Sequence, residues 1–180
     1  MRRLLLVALL VLVSTASAGD RWPDSSAVQN WTLVAKTATE SLVSDNTLND
    51  DAQLFFTMAP GKRYAVRGQI FFYSTPNADF SFEMSCPNII AGEGYAETRW
   101  LNRDDTTAEQ IRTLGDTSCG GTQSVLWTAA GNGPGWVKID TVFRSHATTP
   151  FTFNFRWAQG TLHADTTFVL SGSYLEYRTF

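Results

Sequence analysis

The sequence predicts an all-β protein, an antiparallel β-sandwich of jelly-roll topology with little or no helix beyond its first residues. Three observations predict it. From Trp31 onward the chain is a succession of short runs rich in aromatic and β-branched residues, a composition that fits a pleated, half-buried surface. Regular turn chemistry separates the runs, and no long stretch carries convincing helical apolar spacing. About nine strands at such intervals suit a sandwich or jelly roll.

The first segment, "MRRLLLVALLVLVSTASAGD", has two arginines, an apolar run from Leu4 to Val13 and small residues at Ala16-Ser17-Ala18. That is the layout of a secretory signal, with cleavage expected after Ala18. Its apolar run is too short to cross a hydrocarbon core of about 30 Å, and no later run is long enough. The chain is therefore expected to be exported to the medium, a cell surface or a virion, without a stable membrane span. Residues 19–30 read as an extended lead-in and residues 31–180 as one domain.

Within that domain the expected strands are "WTLVAKTA", "QLFFTM", "YAVRGQIFFYS", "DFSFEMS", "TQSVLWTAA", "GWVKIDTVFRS", "FTFNFRWAQ", "TTFVL" and "SYLEYRTF". Alternation is strict in Phe151, Phe153, Phe155 and Trp157, whose neighbours Thr152, Asn154 and Arg156 belong to the opposite face. It recurs in Val137, Ile139 and Thr141 against Trp136, Lys138 and Asp140, and in Phe80, Phe82 and Met84. "APGKR", "STPNAD", "GNGPG", "ATTP" and "SGS" supply fixed-φ proline or permissive glycine for the turns. The stretch Asp104 to Gly115, "DDTTAEQIRTLG", is expected to be irregular, with a helical turn or a strand as alternatives.

Composition narrows function. A formal net charge of −3, made more negative by loss of Arg2 and Arg3 with the signal, disfavours nucleic acid as a partner. Aromatics at 13% against only 17% charged residues suit a packed domain rather than a disordered tail.

Asp45, Asn46, Asn49, Asp50 and Asp51 offer oxygen atoms of the kind calcium takes. They lack the ligand spacing, closing glutamate and glycine of an EF-hand, so the reading is a polar turn launching "QLFFTM". Asp50 and Asp51 are adjacent and diverge on a strand, which does not make the paired acids of a glycosidase. Glu83 and Asp140 read as solvated strand-face acids. His146 and His163 are too few for a histidine-rich zinc site, and no serine has the glycine frame of a nucleophile elbow. The expectation is a protein that is not an enzyme and takes no metal or cofactor.

Cys86 and Cys119 are the only cysteines. In an oxidising compartment they are expected to pair, at a loop-closure contribution of about 3–4 kcal/mol; two separate buried thiols is the alternative. Among the six tryptophans, Trp100 in "ETRWLNRDD" is the candidate ligand contact, a possible stacking platform for a glycan. Asn30-Trp31-Thr32 is a formal N-glycosylation triplet.

The ordered segments "KTATESL" (Lys36 to Leu42), "TLNDDAQLFF" (Thr47 to Phe56), "APGKRYAVRGQIFFY" (Ala59 to Tyr73) and "ADFSF" (Ala78 to Phe82) resemble a β-sandwich domain of tail and other virion structural proteins of tailed bacteriophages and prophages. "FRWAQG" (Phe155 to Gly160), "TTFVL" (Thr166 to Leu170) and "GSYLEYR" (Gly172 to Arg178) continue the resemblance, which spans roughly residues 31–180. The export signal and the cysteine pair are not part of that pattern. The resemblance implies a jelly roll similar to head domains of C1q and tumour-necrosis-factor type. It also implies a homo-oligomer, a trimer, that attaches to a surface receptor or glycan or decorates a particle. The alternative function is a secreted, lectin-like sandwich.

Overall fold

A computed structural model describes residues 30–85, 95–102, 110–114, 127–129 and 133–180, with backbone alone for the three middle stretches. The signal segment, nearly all of the lead-in, Cys86 and Cys119 lie outside the described residues. Those residues form twelve strands: β1 (Thr32–Ala35), β2 (Glu40–Val43), β3 (Asn49–Met58), β4 (Arg63–Ser74), β5 (Phe80–Ser85), β6 (Tyr95–Asn102), β7 (Gln110–Leu114), β8 (Trp127–Ala129), β9 (Gly133–Arg144), β10 (Phe151–Ala158), β11 (Thr166–Val169) and β12 (Tyr174–Thr179).

Eight of these nest as a rolled hairpin. The first pairs with the last, β1 with β12; then β3 with β10, β4 with β9, and β5 with β8, all antiparallel. Cross-pairing of β12 with β4 and of β10 with β5 rolls that hairpin into two sheets, β1-β12-β4-β9 and β3-β10-β5-β8. This is jelly-roll nesting. The first sheet is widened by β6 and β7 beyond β9, while β11 joins β2 to β4.

The core fills the space between the sheets, and aromatic rings meet across it. Phe72 of β4 stacks on Phe80 of β5 with ring centroids 4.2 Å apart, and Phe56 of β3 on Tyr177 of β12 at 4.0 Å. Phe153, Phe155 and Trp157 are fully buried, as their alternation predicts. Gly68 leaves β12 room that a side chain would fill: a Cβ there would stand 2.6 Å from the Tyr174 carbonyl oxygen and 2.7 Å from Leu175 Cδ2.

Four expectations about the strands and turns need correction. Asn49, Asp50 and Asp51 are the start of β3 rather than a turn before it; the turn lies at Asp45 to Thr47, where Asp45 Oδ1 accepts the Thr47 N–H at 2.8 Å. Gln110–Leu114 is a strand, not irregular, because it pairs in continuous register with β6. Gly133 to Gly135 of "GNGPG" extend β9, facing Ser74 to Phe72 of β4. The run "WTLVAKTA" ends its strand at Ala35, and a separate strand, β2, follows at Glu40.

Candidate functional site

The outer face of the larger sheet is the broadest candidate surface. Alternation turns Tyr64, Val66, Ile70 and Phe72 of β4 into the core and leaves Arg63, Arg67, Phe71 and Tyr73 facing out. Register carries that face across the sheet: Leu33 opposes Glu176 and Glu176 opposes Arg67, while Phe71 opposes Trp136 and Ala65 opposes Val142. Leu33 is 61% exposed and Phe180 55%, with Tyr73 and Val142 also exposed. Four of the large exposed apolar side chains among the described residues therefore share one face, beside half-buried Phe71 and Trp136. They stand at intervals along the face rather than as one patch: Tyr73 opposes Pro134 at one end, and exposed Arg67, Lys138 and Asp140 lie between it and Val142.

Charge organises one end of that face. Trp31 lies against two guanidinium groups, Arg67 at 4.2 Å and Arg178 at 4.8 Å from its ring centroid, an attraction between cation and ring quadrupole. Arg67 Nε also donates to Glu176 Oε2 at 2.6 Å. The Trp31 ring is thus engaged within the protein, at the centre of the Asn30-Trp31-Thr32 triplet.

A second node is buried. Lys36 follows β1, and its Nζ donates to Asp51 Oδ1 at 2.9 Å, Asp51 Oδ2 at 2.8 Å and Glu40 Oε2 at 2.9 Å. The Lys36 and Asp51 side chains are 1% and 0% exposed. Asp51 Oδ1 accepts two further hydrogen bonds, from the backbone N–H groups of Gln53 and Leu54 at 2.9 and 3.0 Å. Those bonds hold an irregularity in β3, whose register against β10 shifts between Asn154↔Phe55 and Arg156↔Asp50. Sequence reasoning passed over Lys36. Its signal was period two: Val34 packs on the core, so Lys36 falls on the same inward face.

On the outer face of the smaller sheet, Arg156 Nη1 donates to Glu83 Oε1 at 3.0 Å and Nη2 to the Leu48 carbonyl at 2.9 Å. Its Nε stands 3.1 Å from Asp50 Oδ1, an ion-pair distance without hydrogen-bond geometry. Glu83 is buried, which corrects its reading as a solvated acid. Alternation places it correctly off the core face, yet pairing with Arg156 removes it from water. Asp140 does remain exposed.

The histidines serve local structure. His146 Nδ1 accepts the backbone N–H groups of Thr148 and Thr149 at 3.3 Å, and the adjacent Ser145 hydroxyl donates to the Ala59 carbonyl at 2.7 Å. His163 Nδ1 lies 3.2 Å from Asp165 Oδ2. The Thr75 hydroxyl, 2.7 Å from that same oxygen, holds the Asp165 carboxyl below its ordinary pKa, with Asn77 and His163 adding to the effect against some desolvation. Asp45 is likewise lowered, first by the Thr47 N–H and then by the Asn49 amide. Burial raises the Tyr64 phenol. Among the described residues no group of three His, Cys, Asp or Glu side chains stands at metal-holding distance, and Asp45 and Asp51 spend their oxygens on the contacts above. Trp100 lies in β6 and pairs in register with Val137; its side chain, with those of Cys86 and Cys119, is outside the described residues.

The fold defines an antiparallel jelly-roll sandwich whose larger sheet exposes a mixed apolar and charged outer face. No family model and no curated protein matches the chain. Among solved structures it is similar to the VP2 subviral particle of infectious bursal disease virus, at 10% identity and a TM-score of 0.24 over 86% of this chain and 38% of that one. A D431N mutant VP2 protein of the same virus, in derived T=1 particles, gives 10% identity and a TM-score of 0.26 over 97% and 44%. The likeness to these virus-particle proteins is loose, and the chain spans about two fifths of their length.

Proposed function

We propose that this chain is a non-enzymatic structural and binding protein of a phage-like particle or a cell surface, working as a homotrimeric attachment or decoration module. The observation that carries this reading is the outer face of the larger sheet, which exposes Leu33, Tyr73, Val142 and Phe180 at intervals between Arg67, Lys138 and Asp140. A broad face of mixed apolar and charged residues on an exported protein suits a protein partner, and further copies of the same chain supply one by symmetry. Multivalency then strengthens individually weak contacts to a receptor or glycan, because linked sites gain effective concentration. The N-terminal export signal supports the location, and a disulfide between Cys86 and Cys119 belongs to the same proposal.

The test is to follow the chain across a density gradient of culture supernatant and surface fractions. It is expected with particles or with the cell surface. Recovery wholly from the cytosol contradicts the reading. A glycan array comparing wild type with Trp100→Ala separates the two kinds of target: sugar binding lost in the variant identifies a glycan, and its absence from both proteins favours a protein receptor.

A further inference from the structure

We propose that Lys36 and Asp51 become joined by an intramolecular amide bond that the folded chain forms by itself. The inference rests on the geometry of the buried node and is independent of the assembly reading above.

The reacting groups are already in place. Lys36 Nζ lies within 2.9 Å of both oxygens of Asp51, in hydrogen-bond contact with the carboxyl group whose carbon it would attack once that group turns its face to the nitrogen. Both side chains are withdrawn from water. Fixed juxtaposition of this kind replaces a bimolecular encounter and raises the effective concentration of the amine enormously.

In water neither group would react, since the amine is protonated and the carboxyl ionised. The reaction therefore begins with a proton transfer within the pair. Passing one proton from the ammonium to the carboxylate converts two desolvated ions into a neutral amine and a neutral acid, relieving the cost of holding charges away from water. The amine lone pair then attacks Cγ of Asp51, and the displaced C=O electrons collect on Oδ1.

Oδ1 is the oxygen prepared for that charge. The N–H groups of Gln53 and Leu54 point at it from 2.9 and 3.0 Å, two preorganised donors of the kind that stabilise an oxyanion. Glu40 Oε2, 2.9 Å from the same Nζ, takes the proton released by the attacking nitrogen and delivers it to Oδ2. The Oδ1 electrons re-form the carbonyl, the Cγ–Oδ2 bond breaks, and Oδ2 departs as water. One C–N bond forms and one C–O bond breaks. Ammonium plus carboxylate becomes amide plus water, with Glu40 returned to its starting state and no oxidant, reductant or other reagent required.

The surroundings give the water a way out. Glu40 is 30% exposed and borders a surface depression of about 390 Å³ lined by Lys36, Ala38, Thr39, Glu40, Ala52 and Gln53. Asp51, rather than Glu40, is the acyl partner: it is the more deeply buried acid, and its oxygen has two backbone donors where Glu40 has the Ala52 N–H at 3.3 Å. The product staples the segment after β1, in the larger sheet, to β3 in the smaller one.

Tryptic peptide mass spectrometry of the reduced full chain tests this. Trypsin does not cut after an acylated lysine, so residues 22–62 are expected as one uncut peptide, lighter than its sequence by the mass of one water and with fragment ions joining Lys36 to Asp51. Lys36→Met and Asp51→Ala are each expected to abolish water loss. Glu40→Gln, which keeps the side chain's size but removes the proton carrier, is expected to slow or abolish the reaction. Normal cleavage after Lys36 in wild type overturns the proposal. That holds if both peptides keep full mass, meaning an ion pair only, or if the Asp51 peptide alone has lost water, meaning a local cyclisation. A linkage mapped to Glu40 also overturns it.

Discussion

Asp51 is held by Lys36 from one side and by its own strand from the other: Nζ reaches both carboxylate oxygens, while Gln53 and Leu54 direct their N–H groups at Oδ1. One buried carboxylate thereby fixes both the segment after β1 and the irregularity in β3. Taking away either partner leaves an uncompensated charge in the interior, a loss of about 3–5 kcal/mol. Chemical denaturation of Lys36→Met and of Asp51→Ala is expected to show destabilisation of at least that size, since each variant also lacks the proposed Lys36–Asp51 amide. The double variant Lys36→Met/Asp51→Leu regains only part of it, because the two N–H groups of β3 remain orphaned at about 1–3 kcal/mol each. Full recovery in the double variant would mean that the backbone bonds contribute nothing.

Gly68 of β4 sits tightly against β12. Any Cβ at this position meets the Tyr174 carbonyl and the Leu175 side chain well inside contact distance. The backbone atom cannot swing aside, so Gly68→Ala is expected to destabilise by about 1–3 kcal/mol, the usual cost of overpacking. Thermal unfolding measures it; an unchanged midpoint would show that β12 is free to shift.

Asp165 and Asp45 predict the acid limb of stability. Both carboxyls lie below their ordinary pKa in the folded chain, so the folded state holds their protons more weakly than the unfolded state does. Their stabilisation is present above the unfolded value of about 3.9 and is lost as pH falls through the lower folded values. Asp165→Asn removes the Thr75 and His163 contacts to a charged group, and is expected to flatten the dependence of stability on pH in that window. An acid limb identical to wild type would assign the effect elsewhere.

Tyr64 sets an alkaline counterpart. Its hydroxyl oxygen accepts the Ala59 N–H at 2.7 Å, and burial raises its pKa. The raised folded value means that this contribution is full below the unfolded pKa of about 10 and disappears as pH rises through the folded value. Tyr64→Phe removes the Ala59 hydrogen bond and is expected to cost about 0.5–1.5 kcal/mol at neutral pH, while abolishing that alkaline decline. Spectrophotometric titration beside urea unfolding checks both.

Much of the fold was legible because period two is a local signal. Phe151 to Trp157, Val137 to Thr141 and the "APGKR" turn each carry their own evidence, and each stands where alternation or turn chemistry puts it. The candidate sites were less legible because they are made by partners far apart in sequence. Nothing near Glu83 announces Arg156, and nothing near Asp51 announces Lys36. Asp51 reads locally as one of several turn-forming polar residues, and only the pairing of distant strands turns it into a buried anchor. The outer face is intermediate: alternation marks Tyr73 and Val142 as facing away from the core, but β-sheet register is what puts them on the same face as Leu33 and Phe180.

Self-association through that surface is the centre of the functional reading, and sedimentation velocity of the secreted chain over a micromolar concentration series tests it most directly. Wild type is expected to sediment as a trimer, and Leu33→Glu combined with Tyr73→Glu is expected to sediment as a folded monomer, since the charges are accommodated on an exposed face but not in an interface. Wild type that remains a monomer throughout the series, or a trimer unaffected by both charges, contradicts it.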